Sequence, residues 1–183
     1  MGEWRPLATI ATLRHRAGLV DKTRGFFAER GVLEVDVPIL QGGANLDRGV
    51  RPFRVETLDG PRFLPTSPEH PLKRLVCAGV GAVWSLAPAF RGGENGRRHQ
   101  SEFRMLEWYR PGWDDRRLAD EVIELLDTLT GFGRALERLT WRESFRRHAG
   151  LDPQTASDDA LRTALGEAAA AARDRRELLE LLL

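Results

Sequence analysis

The sequence over residues 90–109, at the centre of the chain, is FRGGENGRRHQSEFRMLEWY. A polar loop rich in arginine and glycine separates two segments that have the composition of β-strands. The second segment, which begins at Glu102, alternates apolar with charged residues, as a half-buried strand does. This pattern predicts a β-hairpin that holds an anion at its tip and a polar small molecule on one face.

Alternation along the two strands places one set of side chains on a common face. This set is Val83, Ser85, Ala87, Ala89 and Arg91 on the first strand and Phe103, Met105, Glu107 and Tyr109 on the second. The small residues leave a hollow, and Arg91 at its rim can form a forked contact with a phosphate. If the face is covered, Glu107 needs a cation, such as a ligand ammonium or Mg²⁺, because an unpaired buried carboxylate is costly. Alternation alone equally allows an exposed strand with a solvated Glu107 and a surface Arg91.

The loop between the strands contains the charged or titratable residues Glu94, Arg97, Arg98 and His99. Such a cluster can close over a triphosphate through charge-assisted hydrogen bonds. It can also form a solvated turn, so both interpretations of the loop remain open.

Regular elements are predicted on both sides of the hairpin. Before it come a helix over 10–30, a strand over 32–37, a glycine-rich loop over 41–49, strands over 53–58 and 62–64 joined by a turn at Asp59-Gly60, and a helix from 66–69 to Cys77. Thr66 or Ser67 can cap the start of that last helix, and Glu69 has the capping-box spacing from Thr66. After the hairpin come helices over 114–130, 140–148 and 157–172. The apolar segment 177–183 either docks on the core or marks a fold that continues beyond it.

Composition restricts the class of protein. The chain has 183 residues, a formal net charge of +1, one cysteine and four histidines. The near-neutral charge argues against a strong field for nucleic acid or an anionic membrane, and no apolar stretch has the length of a membrane span. The single cysteine excludes an internal disulfide and favours a cytoplasmic location, and the scattered histidines argue against a structural zinc site.

The order of three segments resembles the class II aminoacyl-tRNA synthetases of the lysine branch. The helix, Gly31, strand and Pro38 resemble motif 1, the dimer-interface element of that class. The sequence Thr-Ser-Pro-Glu over 66–69 resembles the segment that meets the amino acid, and residues 90–109 resemble motif 2. The resemblance implies an α+β fold with an antiparallel sheet flanked by helices, and a homodimer formed through residues 10–40.

Within that class, the chain is most similar to the elongation factor P (R)-β-lysine ligases, which are stand-alone paralogues of lysyl-tRNA synthetase. Residues 105–111, MLEWYRP, resemble theirs, and motif 1 begins too early to leave room for an anticodon-binding domain. We therefore expect residues 1–183 to be the N-terminal part of one class II catalytic domain. The implied reaction uses ATP and Mg²⁺ to activate (R)-β-lysine or lysine as an adenylate and transfers it to a lysine of elongation factor P. Binding of tRNA or of a membrane is not expected.

The resemblance also implies roles for individual residues. Arg91 and Glu107 would be the catalytic residues, Arg91 on the α-phosphate and Glu107 near that phosphate or Mg²⁺. The implied ATP contacts are Arg91, Gly93, Glu94, Arg97, His99, Gln100 and Phe103, with Phe103 stacked on adenine. The implied lysine contacts are Ser67, Pro68, Glu69 and Tyr109, with Glu69 holding an ammonium group.

The sequence departs from the family pattern at Pro71, Arg98 and Ser101, and in two larger ways. Gly93 stands where the family has an acid, and Glu94 follows one residue later. Nothing after Leu151 resembles motif 3, which contributes a second arginine for the γ-phosphate. We therefore expect an incomplete sheet at the C-terminal end and little adenylation by this chain alone. Two alternatives stay open: a lysyl-tRNA synthetase fragment, and an inactive paralogue that acts only as a binding or interaction module.

Overall fold

A computed structural model gives the fold and describes residues 6–45, 47, 49–94, 96–97, 99–131, 133 and 137–182. The chain divides into two compact units, one within residues 1–133 and the other within 134–183. The first unit contains α1 (Ile10–Glu29), β1 (Leu33–Glu34), β2 (Arg54–Thr57), β3 (Gly60–Phe63), α2 (Glu69–Cys77), β4 (Val83–Phe90), β5 (Glu102–Tyr109) and α3 (Asp115–Thr130). The second contains α4 (Trp141–His148), α5 (Asp158–Leu165), a 3₁₀-helix (Gly166–Ala171) and α6 (Arg175–Leu181). The predicted α+β class is confirmed.

The predicted hairpin is present and is the longest strand pair in the described chain. β4 and β5 pair antiparallel from Val83 opposite Tyr109 to Phe90 opposite Glu102. β1 adds to the other edge of β4 in a parallel direction, so the order in this sheet is β1-β4-β5. β2 and β3 form a separate antiparallel ribbon, whose two-residue turn lies one position earlier than predicted, at Leu58 and Asp59.

One face of the hairpin packs into the core of the first unit. The buried cluster comprises Phe26, Phe27, Val32, Trp84 and Leu125, with Leu86, Leu106, Trp108 and Leu129 packed against it. Phe27 at the end of α1 stacks on Trp84 with ring centroids 4.9 Å apart. Each such side chain contributes about 1.5–3 kcal/mol when fully buried. Trp84 and Trp108 lie on the hairpin face opposite to Arg91 and Glu107. This hydrophobic cluster therefore does not occupy the face that carries Arg91 and Glu107.

A buried ion pair fixes the end of the hairpin to α3. Arg110 and Glu121 form this pair, and their side chains are only 7% and 3% exposed. The indole Nε1–H of Trp108 donates to Glu121 at 2.9 Å, so the carboxylate also satisfies an indole that faces the core. No pattern in the sequence predicted this pair.

Three predicted elements differ from the structure. The strand over 32–37 shrinks to Leu33–Glu34, which pair with Val83 and Trp84 at the start of β4, and the Val35 N–H adds one hydrogen bond to the Trp84 carbonyl oxygen at 2.9 Å. The capping box is wrong: the Thr66 hydroxyl is buried without a hydrogen-bond partner among the described residues, and the Ser67 hydroxyl accepts from the Glu69 N–H at 3.0 Å. The helix over 157–172 ends at Leu165, where Gly166 takes φ +58°, and a 3₁₀-helix follows.

The other predicted boundaries are close to those observed. α1 ends before Gly31, which has φ +64°, and α3 covers the predicted amphipathic segment behind the Asp114 N-cap. The loop over 41–49 has no helix or strand in its described part, although Gln41 exchanges two 2.9 Å backbone hydrogen bonds with Phe63. Leu46 and Arg48 of that loop lie outside the described residues.

The second unit is a small helical assembly with its own core. Leu161, Ala169, Ala172 and Leu178 are buried together there. α4 confirms the helix predicted over 140–148. It begins with a capping box between Thr140 and Glu143. The apolar segment that begins at Glu177 therefore contributes to a core through Leu178, while its final residue, Leu183, lies outside the described part.

Across the residues that the structure describes, no helix combines the length and the apolar character that a membrane span requires.

Candidate active site

The tip of the hairpin encloses a cavity of about 400 Å³, here called the tip cavity. It is lined by Arg91, Glu94, Gly96, Arg97, His99, Gln100 and Phe103. Six of the seven residues that the sequence assigned to ATP are in this set. Gly93 does not line the cavity, and Arg98 of the predicted cluster lies outside the described residues. The volume is within the range of small-molecule sites, and the lining combines cationic side chains with one aromatic ring.

Arg91 is anchored at the inner edge of the tip cavity. Its backbone N–H donates to the Ser101 carbonyl oxygen at 2.9 Å, and its side-chain Nε–H donates to the Thr66 carbonyl oxygen at 3.2 Å. The guanidinium carbon lies 5.3 Å from the centroid of the Phe103 ring. Within the described residues the Nη atoms of Arg91 form no hydrogen bond, so they remain available to an anion. An arginine held in this way can contact a phosphate without first being ordered by it.

The backbone conformation at Gly93 explains why glycine stands where the family has an acidic residue. Its φ is +83°, in the left-handed region that residues with a Cβ rarely adopt. Glu94, the next residue, does line the tip cavity. The acid at the shifted position is therefore the one that the loop brings to the cavity.

Below the tip cavity on the same hairpin face, three predicted residues meet at one carboxylate. Tyr109 Oη–H donates to Glu107 Oε1 at 2.7 Å, and Ser67 Oγ–H donates to Oε2 at 2.9 Å. Ser67 Oγ also accepts from the Glu69 N–H, so the start of α2 joins the same network. The register places small side chains beside this network, because Ser85 lies opposite Glu107 and Ala87 opposite Met105. We call Ser67, Glu69, Glu107 and Tyr109 the acidic end of the site.

The nearest partners of Glu107 are the Ser67 and Tyr109 hydroxyls, whereas the sequence predicted a cation as the partner of this carboxylate. They satisfy one lone pair on each carboxylate oxygen but leave the negative charge uncompensated, so the residue still attracts a cation. Its partners Ser67 and Tyr109 are predicted lysine contacts, and Glu107 does not line the tip cavity. The structure thus groups Glu107 with the amino-acid residues. Pro68, the remaining predicted lysine contact, is buried at the N-terminus of α2.

Glu69 is already paired with an ammonium group from the chain. Lys73, one turn further along α2, forms an ion pair with its carboxylate. The hydrogen bond from the Lys73 ammonium holds the pKa of the Glu69 carboxyl below its usual value, and the carboxylate raises the pKa of Lys73 in return. Lys73 was not among the residues predicted for the site, although its i, i+4 spacing from Glu69 is the signal that would have found it.

Tyr109 is held in its protonated form. Partial burial is the main cause that raises the pKa of its phenol well above the ordinary value, and the hydrogen bond to the Glu107 carboxylate is the second cause. Ionisation would place a second negative charge against Glu107, so the phenol remains a donor at neutral pH.

Two further observations concern ions and other cavities. Within the described residues, no group of three or more His, Cys, Asp or Glu side chains is placed to hold a metal ion. Glu107 offers a single carboxylate, which fits Mg²⁺ only where phosphate oxygens supply other ligands, as in many ATP sites.

A second cavity of about 450 Å³ lies between residues 38–44 and α2, beside His70 and Arg74, and contains none of the predicted contacts.

The chain was compared with known proteins by sequence. The family described as tRNA synthetases class II (D, K and N) matches residues 4–158. The elongation factor P–(R)-β-lysine ligase of Sodalis glossinidius is 42% identical over 98% of this chain and 58% of its own length. The ligase of the same name from Vibrio vulnificus is 42% identical over 98% of this chain and 59% of its own length. The chain therefore spans less than two thirds of the curated relatives that it matches.

Comparison of structures leads to the same class. The asparaginyl-tRNA synthetase from Pyrococcus horikoshii, complexed with asparaginyl-adenylate, superposes with a TM-score of 0.58 and 29% identity. The match covers 64% of this chain and 27% of that structure. The predicted class II architecture and the predicted similarity to the β-lysine ligases are both confirmed, and the chain belongs to the class II tRNA synthetase family of the D, K and N group.

Proposed function

We propose that this chain provides the ATP site and the amino-acid site of an ATP-dependent ligase. The ligase activates (R)-β-lysine or lysine as an aminoacyl-adenylate and transfers it to a lysine of elongation factor P. The names of the relatives support the substrate and the acceptor. The adenylate in the asparaginyl-tRNA synthetase complex supports the use of ATP in this fold.

The tip cavity is the observation on which the proposal depends most. It brings together Arg91, Arg97 and His99 as potential phosphate contacts, with the Phe103 ring beside Arg91. Arginine and histidine side chains form charge-assisted hydrogen bonds to phosphate, and an aromatic ring suits a purine base. We assign the triphosphate to the cationic side chains and adenine to Phe103, with Glu94 and Gln100 as further contacts.

The acidic end suits an amino acid that has a second amino group. Glu69 and Glu107 provide carboxylates for ammonium groups, and Tyr109 and Ser67 fix the orientation of Glu107. Both sites lie on one face of the hairpin, so a bound amino acid and the α-phosphate of ATP would meet along it. Such positioning is a large part of how enzymes of this kind accelerate a reaction.

The proposed chemistry requires no protein nucleophile. A carboxylate oxygen of the amino acid forms a bond to the α-phosphorus, and the bond from that phosphorus to the bridging oxygen breaks, releasing pyrophosphate. Arg91 would stabilise the charge that develops on the α-phosphate. Mg²⁺ bound with ATP would supply neutralising charge on the phosphates. Because Glu107 is grouped with the amino-acid contacts and does not line the tip cavity, we assign its carboxylate to a substrate ammonium rather than to this ion. The acceptor amine then attacks the acyl carbon, loses a proton and releases AMP.

The proposal also covers assembly and location. The family match spans the boundary between the two compact units, which supports one class II catalytic domain over residues 1–183. A homodimer through residues 10–40 is supported by exposed apolar side chains in that segment, such as Ile10 and Leu13 at 69% and 51%. We place the protein in the cytoplasm, which suits the single free cysteine, Cys77.

Calorimetric titration with three amino acids tests the proposed amino-acid site. With ATP present, we expect lysine and (R)-β-lysine to bind, and norleucine, which lacks the second amino group, not to bind. Glu107→Gln should weaken lysine binding roughly 10- to 100-fold, because a charge-assisted hydrogen bond contributes about 1.5–3 kcal/mol. Norleucine binding as tightly as lysine would refute the site.

A transfer assay then separates the ligase from its alternatives. Labelled β-lysine is supplied with ATP, and the label is followed into purified elongation factor P and, separately, into tRNA. Label in elongation factor P supports the ligase, and label in tRNA would support the lysyl-tRNA synthetase alternative. Because nothing in the chain resembles motif 3, little transfer is expected of this chain alone, and binding with no transfer at all to either acceptor would favour the inactive binding module.

A further inference from the structure

Lys73 places an ammonium group of the chain among the residues proposed to hold the ammonium groups of the substrate. It forms an ion pair with Glu69, whose backbone N–H is bonded to Ser67 Oγ. Ser67 in turn donates to Glu107, so one hydroxyl links the Glu107 carboxylate to the backbone of Glu69. Lys73 is also attracted to Glu107 and, more weakly, to Asp47 in the neighbouring loop.

The charge of this network follows from its members. Glu69 and Glu107 each contribute a negative charge, Lys73 contributes a positive charge, and the Ser67 and Tyr109 hydroxyls are neutral. The members joined by a hydrogen bond or ion pair therefore have a net charge of minus one, whereas the Asp47 carboxylate accepts from Asn45 in its own loop and is not counted. A diamino acid such as lysine has two ammonium groups and one carboxylate, so its net charge is equal and opposite. A diamine without the carboxylate has a surplus positive charge that Lys73 repels.

We propose that Lys73 is a specificity-determining residue of the amino-acid site, which makes the site select a diamino acid over the corresponding diamine. The inference rests on the proposed function, because it takes the acidic end to be the place where the substrate ammonium groups bind. Selection against diamines is useful to the reaction, because only a ligand with a carboxylate can attack the α-phosphate.

The position of Lys73 permits this role without blocking the site. The Lys73 and Glu69 side chains are 55% and 35% exposed, so their ion pair is screened by water and easily exchanged. A substrate ammonium can take the place of Lys73 on Glu69, after which the displaced ammonium remains nearby to attract the substrate carboxylate. A diamine receives the repulsion from Lys73 without that attraction.

The test compares the affinities of lysine and 1,5-diaminopentane for the full chain. Lys73→Gln should shift the ratio of the two dissociation constants toward the diamine by roughly three- to tenfold, as expected for one charge at short range in a partly solvated site. Lys73→Arg keeps the charge and should keep the ratio. Lys22→Gln is the matched control, because it removes the chain's other lysine, which lies on α1 outside the site. Added salt should reduce the shift.

The outcomes distinguish this inference from the proposed function. A shift toward the diamine in Lys73→Gln, with none in the other two variants, supports the role of Lys73. If lysine binds but the ratio is unchanged or moves toward lysine, the inference is overturned while the amino-acid site stands. If the unaltered chain binds neither ligand, the proposed amino-acid site fails and the inference fails with it.

Discussion

Replacing Glu107 with glutamine should make Tyr109 ionise more easily while the chain stays folded. Burial and the 2.7 Å hydrogen bond to Glu107 raise the pKa of the phenol in the folded chain. Glutamine keeps the size of the side chain but removes its charge, so tyrosinate no longer forms beside a carboxylate. Burial is unchanged by the substitution, so the pKa should remain above the ordinary value of about 10.

The size of the change follows from the hydrogen bond. A hydrogen bond to a charged group contributes about 1.5–3 kcal/mol, and the partly exposed position of Tyr109 favours the lower end. One pH unit corresponds to about 1.4 kcal/mol, so the midpoint of Tyr109 ionisation should fall by about one pH unit in Glu107→Gln. The raised pKa also sets the direction of the pH dependence of stability. Its contribution is fully present below the pKa of the unfolded chain, about 10, and is lost as the pH rises through the higher folded value.

The assay is direct because Tyr109 is the only tyrosine in the sequence. Ultraviolet difference absorbance follows tyrosinate during an alkaline titration, and circular dichroism in the same samples follows folding. Glu102→Gln is the matched control, since it removes a charge from the same strand on the opposite face. Ionisation of Tyr109 near pH ~10 in the folded, unaltered chain would refute the reasoning. An unchanged midpoint of Tyr109 ionisation in Glu107→Gln would show that the hydrogen bond to Glu107 does not raise the pKa of the phenol.

Three further predictions concern stability, assembly and charge. Glu121→Ala should lower the free energy of unfolding by about 3–5 kcal/mol, because it leaves the Arg110 guanidinium buried without its partner; a loss below about 1 kcal/mol in urea denaturation would contradict this. Leu13→Glu should shift the proposed homodimer to monomer in sedimentation velocity, because it places a charge on an exposed apolar part of α1; an unaltered chain that is monomeric at high concentration would count against the dimer. The Glu69 carboxyl should stay ionised to lower pH than an ordinary glutamate and return toward the ordinary value in Lys73→Gln. Carbon NMR of the carboxyl groups measures this, and equal titration in both proteins would exclude the ion pair in solution.

The face of each hairpin residue was predictable because alternation is a local property of a strand. The observed register places Ala89 opposite Phe103 and Ser85 opposite Glu107, as alternation requires. The tip cavity follows from the same pattern together with the family resemblance, which named the contacts that line it. Their individual roles in binding ATP stay predictions.

The features that the sequence did not predict depend on contacts between distant residues. Thr66 has the spacing of a helix cap, but its carbonyl holds Arg91, and Ser67 takes over the hydrogen bond at the helix start. Arg110 and Glu121 form their buried pair only because α3 packs against the hairpin. The Ser67 hydroxyl that donates to Glu107 likewise comes from the segment just before α2, 40 residues earlier in the chain, so no local pattern indicated this hydrogen bond.

Nucleotide binding by two arginine variants tests the proposed ATP site most directly. Arg91 and Arg104 both belong to the hairpin, but Arg91 lines the tip cavity, whereas Arg104 is exposed and donates to the Leu86 carbonyl oxygen at 2.7 Å. Arg91→Ala should weaken ATP binding roughly 10- to 100-fold, as expected for the loss of a charge-assisted contact to phosphate, and Arg104→Ala should leave it nearly unchanged. Equal affinity in Arg91→Ala and the unaltered chain, or an equal loss in both variants, would contradict the assignment of ATP to the tip cavity.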